Sequence, residues 1–175
     1  MGNEMIAYFQ QLEIMGFFSG YPLLYHFIFS ILGKPETRTL FRKRLISLLP
    51  VTYAITATLY FGLQIRNLYP DISFKHLFAE IQNPLLVIWG MIAIFLWIPF
   101  FLKRPIISVL HSWIFFLLLL KDIIFQLLSN GDRDVIRNDM KVYFDSILLN
   151  SGIFILLLFV LLITSRIKTK RSPSD

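Results

Sequence analysis

Apolar residues along this chain fall into five blocks, 14–33, 45–63, 84–102, 105–128 and 146–165, separated by short polar or basic punctuation. Within a block they lack the spaced stripe of a soluble helix. Each block reaches the roughly 17 to 25 residues a helix needs to cross a hydrocarbon core about 30 Å thick. The pattern predicts an all-α integral membrane protein: a bundle of five transmembrane helices forming one domain over 1–165, followed by a disordered basic tail over 166–175.

The punctuation agrees with those boundaries. Gly33 and Pro35 supply a cap and a breaker after the first block, and Asn130 with Gly131 supplies a stop after the fourth. Lys103, Arg104 and Pro105 make a tight hairpin between the third and fourth, and this is where a re-entrant segment would reduce five spans to four. Between the second and third blocks, Phe74, Leu77, Phe78 and Ile81 have the i, i+3, i+4, i+7 spacing of a short amphipathic helix, expected at the membrane interface. The stretch before the first block carries Glu4 and Glu13 and no Lys or Arg, against a cleaved signal peptide, and Ile6 stands where myristoylation needs Ser or Thr.

Composition narrows the class. Hydrophobic residues make up 56% of the chain and charged residues 16%, against about a quarter charged in soluble domains. With no cysteine, disulfides, thiolate metal sites and iron–sulfur clusters are excluded. The net charge of +6 does not point to nucleic acid, because the basic residues are sorted by side. Five lie in the 34–44 loop, two in the 103–104 hairpin and four in the tail, eleven of the 17 Lys and Arg on one side of a five-span bundle. The positive-inside rule then puts the amino terminus outside and the carboxyl terminus in the cytoplasm. The expected partners are the lipid bilayer and other membrane-protein subunits, and the expected location is a bacterial cytoplasmic membrane.

Polar side chains inside a span are costly and face the bundle interior or a water-filled cavity. At 100° per residue, Gly16, Ser19, Gly20, Leu23, His26 and Ser30 share one arc of the first span. Thr52, Tyr53, Thr56, Tyr60 and Gln64 share one on the second, and Ser108, His111, Ser112, Asp122 and Gln126 one on the fourth. The third offers only Gly90, Ala93 and Trp97, and the fifth is polar only near its outer end, at Asn150 and Ser151. Spans one, two and four are therefore expected to line a shared interior, with three and five packed around them. Gly16 and Gly20 form a GxxxG pair, read as close packing within the bundle. Pro22, Pro50 and Pro99 interrupt three spans and free the carbonyls of Phe18, Ile46 and Phe95.

These positions raise three chemical readings. His26 and His111 stand about 9 to 10 Å from the cytoplasmic ends of their spans, so a haem b held by both imidazoles is one candidate. The competing reading has the same histidines hydrogen-bonded to each other or to Tyr and Thr hydroxyls. The second candidate is a transport or proton pathway, with Asp122 on the outer side and His26 and His111 on the inner side as titratable stations joined by Tyr60, Thr56 and Tyr53, and with Asn150 in the same polar interior. An enzyme built on the acidic segment Asp132–Asp145 is the third. That segment interleaves Asp132, Asp134 and Asp139 with Arg133, Arg137 and Lys141, as a solvated helix face does, and there is no HExxH, GxSxG or P-loop. A zinc site has no third ligand at the level of the histidines. The largest share goes to a non-catalytic accessory or assembly subunit of a membrane complex.

Overall fold

The computed structural model describes residues 2–32, 40–67, 83–128 and 133–170, with side chains over 7–31, 42–67, 83–128 and 135–166. Every element there is a helix. In chain order they are α1 (Gly2–Phe18), α2 (Tyr21–Leu32), α3 (Leu40–Asn67), α4 (Pro84–Ile92), a 3₁₀ segment (Ala93–Trp97), α5 (Pro99–Leu102), α6 (Pro105–Leu128) and α7 (Arg133–Lys170). Four stretches are long and apolar enough to cross a membrane: Ala7–Ile31, Arg42–Asn67, Pro105–Leu128 and Val135–Arg166. The amphipathic segment expected around Phe74–Ile81 lies outside the described residues.

The third block is not one continuous span. Proline disfavours the helical region for the residue before it, and Ile98, before Pro99, is extended at φ −62° and ψ 128°. Upstream the helix has already tightened to 3₁₀ geometry from Ala93 to Trp97. The Phe95 carbonyl that Pro99 leaves without its usual donor is reclaimed by the Ile98 N–H at 2.9 Å. The apolar run Pro84–Trp97 is therefore shorter than a full span.

The first block also breaks. Pro22 has no N–H and its ring crowds the carbonyl one turn back, and the chain turns at Ser19–Gly20 between α1 and α2. Gly20's N–H donates across to Ser146 Oγ of α7 at 2.8 Å. The break rotates the face that follows: Tyr21 and Leu24 are buried, whereas Leu23, His26 and Ser30 are exposed. The stripe expected to run through His26 and Ser30 ends at Gly20. The fifth block departs in the other direction, because α7 begins at Arg133, takes in most of the acidic segment and runs past Arg166 to Lys170.

Hydrogen bonds show how the helices run. Gln64 near the end of α3 donates to Glu13 of α1 (2.8 Å), Gln11 of α1 to Asp122 of α6 (2.6 Å), and Tyr8 of α1 to Asp139 of α7 (2.8 Å). The start of α1, the end of α3, the end of α6 and the start of α7 thus share one layer. α1 and α7 point one way, α3 and α6 the other, and the broken segment carries the chain back from that layer to the start of α6.

Lipid tails are as apolar as leucine, so packing density and interhelical hydrogen bonds, more than apolar burial, hold such helices together. Phe18 is the hub, with the rings of Tyr53, Tyr60, His111 and Phe115 at 5.0–5.9 Å. Ala54, Ala57 and Ala93 let α3 and the 3₁₀ segment close around it. Leu24, Leu49 and Phe154 form a second, smaller cluster toward the other end. A Cβ on Gly20 would lie 2.4 Å from the Ile147 backbone nitrogen, so the GxxxG pair serves packing against α7 inside the chain.

Candidate functional site

His111, on α6, sits at the centre of the interior, 7% exposed. Its Nε2 lies 2.8 Å from the Trp89 carbonyl and its Nδ1 2.6 Å from the Tyr53 hydroxyl. A carbonyl only accepts, so Nε2 carries the proton and donates to it. Nδ1 is then the acceptor of the neutral ring and takes the Tyr53 O–H. The Trp89 carbonyl is available because the helix tightens where α4 ends. In an α-helix it would accept from the Ala93 N–H, which here bonds to Gly90 instead. The Trp89 indole stacks on the imidazole at 5.0 Å and 6°, and Phe18 meets it edge-on.

Two further polar chains have the same form. Tyr21 and Ser108 hydroxyls lie 2.9 Å apart, and Ser108 Oγ donates to the Pro105 carbonyl at 2.7 Å, so Tyr21 is the donor between them. Asn150 of α7 donates from Nδ2 to the carbonyls of Phe17 and Ser146, both at 2.8 Å. Its Oδ1 lies 3.1 Å from Thr56 Oγ1, which is also 3.1 Å from the Thr52 carbonyl, so the threonine proton is shared. Ser19 Oγ, at the break, is buried with no partner among the described residues.

The layer shared by the start of α1 and the end of α6 is acidic. Asp139, 1% exposed, accepts from the Tyr8 hydroxyl at 2.8 Å and from Gln126 Nε2 at 3.0 Å. Asp122 accepts from Gln11 and pairs with Lys121 at 3.3 Å. Among the described residues no three His, Asp or Glu side chains gather as a metal site.

Of the residues singled out from the sequence, Tyr53 and His111 meet directly, as do Thr56 and Asn150. Tyr60 is buried and packs its ring on Phe17 and Phe18. Asp122 is separated from His111 along α6 by the buried positions Phe115 and Leu119, with Phe115 stacked on Phe18. His26 is exposed on α2, edge-on to Trp113 at 6.4 Å. Both nitrogens of His111 are engaged and His26 faces away, so the pair does not fit a bis-histidine haem. The fifth block, expected beside the interior, supplies Ser146 and Asn150 to it.

Sequence reasoning missed Tyr21, Trp89, Ser146 and the partners of Asp139. Trp89 acts through its backbone, which has no side-chain signature. Tyr21 becomes legible only if Pro22 is taken to rotate the helix, and Asp139 only if the helix face before 146 is taken to pack against α1 and α6 instead of water. Comparison with protein-family models, with curated proteins and with solved structures finds no match to this chain.

Proposed function

We propose that this chain is a non-catalytic, multipass membrane protein, an accessory or assembly subunit whose polar interior is a hydrogen-bond frame instead of a route for ions or a cofactor seat. One observation carries the reading: each interior polar chain ends on a backbone carbonyl. Tyr53 and His111 end on Trp89, Tyr21 and Ser108 on Pro105, and Thr56 and Asn150 on Phe17. Trp89 and Phe17 lie beside the two breaks. Away from water, backbone groups freed at irregular helix must find side-chain partners, and these side chains supply them.

The same reading takes five passages with the amino terminus outside, the broken Pro84–Leu102 segment being the third. It draws on the alternation of helix directions and on the sorting of basic residues. A proton or ion path, the second reading, draws on Glu13, Asp122 and Asp139 at the outer end, and the Phe18–Phe115 stack between that layer and His111 weighs against it.

Protein extracted in mild detergent from its native membrane is expected to bring down a stoichiometric partner, to show no Soret band and to support no pH-dependent flux in proteoliposomes. A haem spectrum, or flux abolished by Asp122→Asn with the fold intact, overturns the proposal. Topology is tested directly because the chain has no cysteine. An impermeant thiol reagent added outside is expected to label Lys141→Cys and to spare Lys103→Cys, and the reverse pattern overturns the orientation.

A further inference from the structure

α6 and the broken segment do not close on each other along their whole length. One cavity between them, about 550 Å³, is walled by Phe95, Ile98, Phe101 and Leu110 together with Trp89 and Ile114. A second, about 560 Å³, is bounded by Gln11, Asn83, Leu118 and Lys121 and again by Trp89 and Ile114. Sharing those two residues, the cavities form one groove along α6 from Ile107 to Lys121, about 21 Å at 1.5 Å per residue. Its far end is apolar except for the His111 ring, whose two nitrogens are already engaged by Tyr53 and Trp89. Its near end lies in the polar layer, where the Lys121 side chain is 69% exposed and its ammonium pairs with Asp122, itself bonded to Gln11. The Asn83 side chain caps no helix N–H.

We propose that this groove holds one glycerophospholipid from the leaflet nearest the start of α1, its phosphate at Lys121 and Asn83 and one acyl chain laid past Trp89 into the apolar cavity. The polarity gradient matches that molecule end for end. The groove's length covers the roughly 15 Å of hydrocarbon in one leaflet, half of a core about 30 Å thick. The bore suits a hydrocarbon chain and not a helix, because three turns of a helix about 10 Å across displace roughly 1,200 Å³, about twice the apolar cavity. A cation at the headgroup level with an apolar cleft beneath it is also how a lipid is distinguished from its unphosphorylated neighbours. The proposal stands apart from the subunit reading: the groove touches the interior only where Trp89 and His111 form part of its wall, and the proposed lipid breaks none of their hydrogen bonds.

Native mass spectrometry of protein released from nanodiscs of phosphatidylethanolamine and phosphatidylglycerol tests it, with bound lipids counted through stepwise delipidation. One phospholipid per chain is expected to persist. Lys121→Gln is expected to lower its retention about tenfold, as the loss of a charge-assisted contact does, and diacylglycerol of the same chains is expected to be held no better than phospholipid is by that variant. Leu110→Trp fills the apolar cavity and is expected to abolish retention. Leu110 is 63% exposed, so added bulk there disturbs no core packing. Leu110→Phe provides a second filling variant, and circular dichroism checks both. No retained lipid, equal retention in wild type and a folded filling variant, diacylglycerol held as well as phospholipid, or a co-purified protein displaced by Leu110→Trp in place of lipid each overturns the proposal. Failure to find a subunit partner leaves the lipid count unchanged.

Discussion

Gly20→Ala should loosen the whole bundle, and its size follows from where a single methyl must go. An ideal Cβ at Gly20 lies 2.4 Å from the Ile147 nitrogen, 2.6 Å from the Ser146 carbonyl carbon and 2.8 Å from the Ile147 Cα. Van der Waals contact begins near 3.5 Å, and all three atoms are backbone, so no rotamer change relieves the clash. The break between α1 and α2 must retreat from α7 by about 1 Å, which carries the Gly20 N–H to Ser146 Oγ bond from 2.8 Å out of hydrogen-bond range. Overpacking of this kind costs about 1–3 kcal/mol, and an interhelical hydrogen bond in a membrane adds about 0.6 kcal/mol. Alanine's better helix propensity returns up to about 1 kcal/mol, leaving a net loss of roughly 1–3 kcal/mol. Reversible unfolding in mixed micelles, titrated with sodium dodecyl sulfate and followed by circular dichroism, measures it. Gly62→Ala and Gly152→Ala are the controls, because nothing lies within 4 Å of a Cβ at either position, and both should match wild type or gain stability. If Gly20→Ala unfolds within about 0.5 kcal/mol of wild type, or no worse than the two controls, the close approach of α7 to the break does not hold the bundle.

Other substitutions probe the interior chains by the same unfolding titration. His111→Phe keeps the stack on Trp89 but strands the Trp89 carbonyl and the Tyr53 hydroxyl, at about 1–3 kcal/mol for each buried group left unpaired. Tyr53→Phe combined with it should cost less than the two single changes added together, since the second removes a group the first has already stranded; simple additivity would deny the pairing. Asn150→Leu should cost about 2–3 kcal/mol by releasing the Phe17 carbonyl and Thr56, and a neutral result would mean that the Phe17 carbonyl needs no partner. Asp139→Asn retains an acceptor for Tyr8 and should stay within about 1 kcal/mol of wild type, whereas Asp139→Leu should lose about 2 kcal/mol; equal effects would show that the Tyr8 and Gln126 contacts carry no stability.

Helix positions in this chain are legible because apolar length alone decides whether a segment fits a bilayer, and four of the five blocks correspond to helices long enough to cross. The third block shows the limit. Pro99 announces an extended Ile98 by a local rule, but nothing local announces the 3₁₀ turn from Ala93, which draws on packing against α3. The site divides in the same way. His111, Tyr53, Thr56 and Asn150 could be found by asking which polar groups lie inside a span. Their partners could not, because two of the acceptors are main-chain carbonyls made available by irregular helix. His26 lies off the interior because a stripe drawn at 100° per residue assumes an unbroken rod, and Ser19–Gly20 breaks it nearly two turns before His26.

The shortness of the third segment bears on how the chain enters the bilayer at all. At nine α-helical and five 3₁₀ residues, Pro84–Trp97 spans about 23 Å, less than a hydrocarbon core about 30 Å thick. Ala93 and Leu96 are buried only once α3 and α6 are in place. If it is the third of the five proposed passages, such a segment has no stable seat in lipid during synthesis until Pro105–Leu128 has emerged behind it. The two should therefore insert together, as a hairpin, and a nascent chain arrested before α6 should leave its last apolar stretch at the membrane surface.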